Sequence, residues 1–271
     1  MTPVPERESP SRAPLPALAS VVAVARFQLA RLLTPARLVL ALLGAIFPVA
    51  VMAAAVNAMG QQLPRTAGAL MLFALVPEVF CMLGLLMTMS PAVSDELERG
   101  TWAHVAVRPG GRRALLLGTW LAAVTWTSGV ALLALVFVLR ADLIQGAQNV
   151  AGTFAALVLL STVGRAALFA LPAVIVPKKA LVASVGVAVL VEVLAGLIPA
   201  VVNQFTVSLR LRTLLVAWMG WQREMPAELH MIIDPYRPWW QVTSVLGLTV
   251  LYLAVACAIL EWRQFPPSEE S

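Results

Sequence analysis

Ser94-Asp95-Glu96-Leu97-Glu98-Arg99-Gly100-Thr101-Trp102, with Arg108-Pro109-Gly110-Gly111-Arg112-Arg113 close behind, is the most charged and most basic break in this chain. On either side the sequence turns apolar, over residues 67–89 before it and 114–139 after it. A membrane crossing needs about 20 mainly apolar residues at a rise of about 1.5 Å each. Two such runs joined by a short charged piece read as two antiparallel crossings with the charged piece left in water. Outward from this pair, four more runs qualify, at 38–56, 150–176, 180–200 and 242–260. Composition agrees. The 271 residues are 60% hydrophobic and 12% charged, with mean hydropathy +0.86, where a soluble chain is about 25% charged. The expected fold class is therefore an all-α integral membrane protein with six transmembrane helices. Pro48, Pro77 and Pro172 fall inside spans, where neighbouring helices can satisfy the freed backbone groups.

Basic residues set the orientation. With the N-terminus inside, Arg7, Arg12, Arg26, Arg31, Arg37, Arg99, Arg108, Arg112, Arg113, Lys178, Lys179 and Arg263 lie on the cytosolic side. Arg65, Arg140, Arg210, Arg212, Arg223 and Arg237 lie outside. This two-to-one bias predicts both termini in the cytosol. It also accounts for the net charge of +5 without nucleic acid, which is not expected as a partner. Residues 1–16 are polar and Pro-rich, so a disordered cytosolic N-terminus without a cleaved leader is expected. Residues 17–263 read as one transmembrane domain and 264–271 as a cytosolic tail. Cys81 and Cys257 lie in apolar runs and read as buried thiols. His104 and His230 are too few and too far apart for a metal centre.

Three pieces lie outside the spans. Residues 17–33 have a helical pattern interrupted by Arg26, Gln28 and Arg31, and end at Thr34-Pro35. They predict an amphipathic helix in the inner interface; the plainer reading is an extension of the first span. Residues 203–240 form the outer segment. Its first part, 207–221, mixes Arg210 and Arg212 with leucines, Trp218 and Trp221, which suits a helix at the outer surface or a short re-entrant piece. Trp239 and Trp240 read as interfacial anchors. The third piece is the charged break, 94–112. Acidic residues early, apolar residues over 101–107 and the stop at Arg108-Pro109-Gly110-Gly111 predict a short amphipathic helix at the membrane surface. A solvated loop is the plainer alternative.

Three ionisable residues sit at mid-depth: Glu78 in the second span, Arg165 in the fourth and Glu192 in the fifth. Each costs on the order of 2.5–3.5 kcal/mol if unpaired at a helix centre, so each should face the interior and find a partner. A Glu78–Arg165 or a Glu192–Arg165 pair is possible. Such a patch either lines a translocation path or only fixes helix register.

Glu96, Glu98, Gly100 and Thr101, then Pro109 nine residues after Gly100, then Gly118 nine residues after Pro109, with Arg112 between, resemble the permeases of ABC-2 type transporters. The six-span layout, the N-terminal interfacial helix and the long outer loop before the last span are similar too. Gly110 and Thr119 depart from the pattern, standing where that family usually has an aliphatic residue and a lysine. The resemblance implies a half-transporter in a bacterial cytoplasmic membrane, paired with a second permease copy, identical or related. It implies that Asp95, Glu96, Glu98, Arg99, Gly100, Thr101, Arg108, Pro109 and Arg112 dock on a separate ATP-binding subunit, with a coupling helix over about 95–108. It further implies that ATP and Mg are bound by that partner.

The chain itself should not hydrolyse ATP. A Walker A loop needs Gly-Lys-Ser/Thr, and the only lysines, Lys178 and Lys179, follow Pro177 and Lys178. No catalytic residue is expected either. An intramembrane hydrolase wants a Ser–His pair or clustered acids within the bilayer, and both histidines lie outside the spans. The remaining rival is a secondary transporter or channel built on Glu78, Arg165 and Glu192, which an inverted repeat would favour; no such repeat is visible.

Overall fold

Helix α1, Ala17–Leu32, stops where Thr34-Pro35 follows. Proline disfavours the helical region for the residue before it, and Thr34 sits at φ −82°, ψ 147°. Pro35 then opens α2, Pro35–Met59, at the one helical position where its missing N–H is harmless. The computed structural model that reveals this describes residues 17–108, 110–146, 150–194, 206–221 and 237–263.

After α2 come α3 (Arg65–Phe73), a π-helical stretch (Ala74–Phe80), α4 (Cys81–Met89), a 3₁₀ turn (Ser90–Ala92) and α5 (Ser94–Glu98). A short α6 (Trp102–Ala106) leads to α7 (Gly111–Arg140) and α8 (Ala151–Ile175). Then follow a 3₁₀ turn (Pro177–Lys179), α9 (Ala180–Val187) and a second π stretch (Ala188–Leu194). The remaining helices are α10 (Val207–Met219) and α11 (Pro238–Trp262). Among the described residues, five helices are long and apolar enough to cross a membrane: α2, the run Arg65–Glu98, α7, α8 and α11. The chain is a multi-pass, all-α integral membrane protein. The fifth expected span, 180–200, is described only to Leu194, and its end lies outside the described residues. So do 1–16, 222–236, 264–271 and Pro109.

Burial sorts the helices. α8 is the innermost span, packed against α4, α7, α10 and α11. α2 is the least buried and turns Leu40 (64% exposed) and Phe47 (52% exposed) outward. Apolar area costs about 25 cal/mol per Å² in water, so this surface belongs against lipid. The interior is two apolar cores stacked along the bundle. One gathers Met52, Leu72, Phe154, Leu157, Leu211 and Leu214. The other gathers Leu85, Met89, Trp102, Leu116, Phe169 and Leu260.

The two ends of the bundle differ. At one end the backbone of Leu63 exchanges hydrogen bonds with Leu143 and Gln145 (3.0 and 3.1 Å), tying two loops together. At the other end lie α1, the charged break and the C-terminal ends of α8 and α11. There α1 crosses α7 at Gly118, where an added Cβ would lie 2.6 Å from Val24 Cβ and 2.9 Å from the Val21 carbonyl oxygen. Only a glycine lets the two helices approach this closely.

Candidate functional site: a buried ionic layer and a braced charged break

The first cluster is built around Arg165, which is fully buried. Pro77 prepares its place. In an α-helix the Cys81 N–H would bond the Pro77 carbonyl; here it reaches Val76, five residues back, and also Glu78. This π geometry frees the Pro77 carbonyl, which accepts from Arg165 Nη1 at 2.5 Å and from Ser161 Oγ at 2.6 Å. Arg165 Nη1 also donates to Ser161 Oγ at 2.6 Å, and Nη2 donates to Glu78 Oε2 at 2.5 Å and to Ser208 Oγ at 2.7 Å. Nε donates to Glu192 Oε2 at 3.1 Å. The planar fork of donors thus serves two carboxylates at once.

Glu192 does a second job. Its carboxylate accepts the backbone N–H groups of Val207 (3.1 Å) and Ser208 (3.0 Å) and the Ser208 hydroxyl (2.7 Å). It thereby caps the N-terminus of α10, where unpaired N–H groups and the helix dipole favour an anion. Thr206 adds a cap by accepting from the Leu209 N–H at 3.3 Å. With 13 residues, α10 is about 20 Å long, too short for a bilayer of about 30 Å. Its N-terminus lies beside Arg165, near the middle of α8, and Val207, Leu211 and Leu214 are fully buried. α10 thus packs inside the bundle at the level of Arg165 rather than on its surface.

Glu78 and Arg165 pair, and Glu192 and Arg165 pair, so the two options left open by the sequence are both realised. Sequence reasoning missed Arg212 and Ser208. Arg212 Nε lies 3.6 Å from Glu78 Oε1, an oxygen that accepts no hydrogen bond among the described residues. Two acids and two arginines balance, and the whole layer lies between the two apolar cores.

The second cluster is the charged break. The expected helix over about 95–108 is divided: α5 and α6 are separate, and Gly100 between them has φ +68°. Gly110, at φ +69°, makes the turn into α7. Only glycine adopts this left-handed region freely. The division splits the acidic residues into two kinds. Asp95 and Glu96 point inward to Arg31 of α1, at 3.1 and 3.0 Å. Glu96 is buried and also accepts from Gln28 Nε2 (3.4 Å) and from the Thr101 hydroxyl. Glu98, Arg99, Gly100, Thr101, His104 and Arg108 are exposed, as is Val107 (83%).

Arg112 sits under the break. Its guanidinium lies 5.7 Å from the ring centre of Trp102, and Nη1 reaches the carbonyls of Leu260, Glu261 and Arg263 at 3.1–3.3 Å. It therefore caps the C-terminal end of α11, where cations are favoured. Arg113 pairs with Glu261, and Arg263 donates to the Val174 carbonyl at the end of α8 (3.2 Å). The break is joined in this way to α1, α7 and α11.

Among the described residues no three His, Cys, Asp or Glu side chains gather as a metal site would require. No protein-family model matches the chain, and no curated protein matches it.

Proposed function

We infer that this chain is the transmembrane permease subunit of an ATP-driven transporter of the ABC-2 type, an exporter of the bacterial cytoplasmic membrane. It acts as a pair with an identical or related copy. A separate subunit binds ATP and Mg and docks on the exposed side of the charged break. One observation carries this reading: the break is firmly held beneath and open above. Asp95 and Glu96 are spent on Arg31, while Glu98, Arg99, Val107 and Arg108 face outward. A partner pushing on the outer side moves α5 and α6 against α4, α7 and α1 together, because packed elements shift as units. The spacing from Glu96 to Gly118 supports the same reading.

The test is co-purification from native membranes followed by site-directed crosslinking. A photo-crosslinker at Glu98 or Arg108 should capture a nucleotide-hydrolysing subunit. Reversing Glu98 and Arg99 should uncouple hydrolysis from transport while leaving membrane insertion intact. A protein that transports normally with both charges reversed has no ATPase at this surface.

A second reading, an ATPase-independent transporter or channel using Glu78, Arg165 and Glu192, draws on the unbonded Glu78 Oε1 facing the half-exposed Arg212. Transport in sealed vesicles driven by an ion gradient without nucleotide would select it.

A further inference from the structure

We propose that the cleft between α1, α4 and α7 at the charged end holds the headgroup phosphate of an anionic membrane lipid. The cleft is lined by Gln28, Arg31, Arg37, Thr88, Asp95 and Thr119, among others, and encloses about 40 Å³. One water needs about 10–15 Å³ by the same measure, so the space suits a single tetrahedral phosphate group.

Its polar lining is not self-satisfied. Thr119 is 5% exposed, and its hydroxyl oxygen has no hydrogen-bond partner among the described residues. Thr88 is occupied, donating to the Gly84 carbonyl at 2.8 Å. Arg31 is occupied by Asp95 and Glu96, and that contact also neutralises the carboxylate in the lining. Among the described residues Arg37 is the lining cation that pairs with no acid: it donates to the Arg31 carbonyl oxygen at 3.2 Å. Thr34, Pro35 and Ala36, between the lining residues Leu32 and Arg37, form the start of α2. A phosphodiester with a net negative charge completes this set.

A lipid, rather than free phosphate, follows from what adjoins the cleft. Arg37 is the last polar residue before the apolar run of α2, and Leu38, Val39 and Leu40 beyond it are 45%, 58% and 64% exposed. A headgroup at Arg37 lays its acyl chains along that face. The inference depends on the membrane fold and not on the presence of an ATPase.

The test uses the full chain, purified in detergent and in phosphatidylcholine nanodiscs with or without phosphatidylglycerol. Native mass spectrometry counts retained lipid, and thermal unfolding reads its effect. Phosphatidylglycerol should be retained and should raise the unfolding temperature. Arg37→Gln should weaken retention about tenfold, as expected for losing a charge-assisted hydrogen bond, and Thr119→Val should weaken it less. Arg140→Gln, at the far end of α7, should change nothing. Retention unaffected by Arg37→Gln, or lowered equally by Arg140→Gln, overturns the site. Stabilisation by inorganic phosphate equal to that by the lipid overturns the lipid as its occupant.

Discussion

A guanidinium in a bilayer must find acceptors for five N–H groups inside the protein, and Arg165 finds them on four segments: the π stretch at Pro77 and Glu78, its own helix at Ser161, the second π stretch at Glu192, and α10 at Ser208. Removing it leaves Glu192 without a cation and Glu78 with Arg212 alone. Arg165→Leu should destabilise the fold by about 3–5 kcal/mol, read as a lowered unfolding temperature in detergent. A second change should recover part of the loss, and Glu192→Gln should recover more than Glu78→Gln. The reason is that Glu78 keeps Arg212 nearby (3.6 Å) while Glu192 is 1% exposed and loses its cation. Equal recovery by the two, or none, would contradict this division of charge. Glu96 and Glu98 separate in the same way. Glu96→Ala leaves Arg31 short of an acceptor and should cost about 1–3 kcal/mol. Glu98→Ala should stay within about 0.5 kcal/mol of wild type, and any effect it has should appear in coupling. The same melting experiment on both variants checks this.

Among the elements, the contact of α1 with α7 depends on a single missing side chain. Gly118→Leu should force α1 away from α7, at a cost of about 1–3 kcal/mol for overpacking. Ala25, 3% exposed on α1, provides the readout. Ala25→Cys, in a chain without Cys81 and Cys257, should resist thiol labelling until Gly118→Leu is added. Five of the six expected spans were legible from length and hydropathy alone, because a bilayer imposes both; the sixth, 180–200, ends outside the described residues. The end of α1 was legible from Thr34-Pro35 for an equally local reason. The two π stretches were not: Pro77 reads simply as a proline that lipid tolerates, and its freed carbonyl has meaning only once Arg165 stands opposite. Nor did composition decide between the surface and the re-entrant reading of α10. Arg210 and Arg212 look like surface residues until Gln241 Oε1 (2.7 Å from Arg210 Nη1) and Glu78 are seen beside them. Donor counting would have helped, since one arginine has capacity for both glutamates. The division at Gly100 was also present as a residue but silent as a pattern, because nothing local says that Glu96 turns inward.

For the whole molecule, two apolar cores with an ionic layer between them place charge at the middle of the bundle as well as at its ends. Sidedness is the property to test at this scale. Gly146→Cys, in the loop beyond α7, should react with a membrane-impermeant maleimide in intact cells, and Glu98→Cys should react only after the membrane is opened. The reverse pattern would turn the protein over. The ionic layer also bears on the order in which the chain is made. Arg165 leaves the ribosome 87 residues after Glu78, yet 27 before Glu192 and 43 before Ser208. When α8 enters the bilayer, Glu78 is therefore the one acid of the layer already in place to escort it. Glu192 and Ser208 arrive later, with segments that close over the guanidinium before α11 completes the packing around α8.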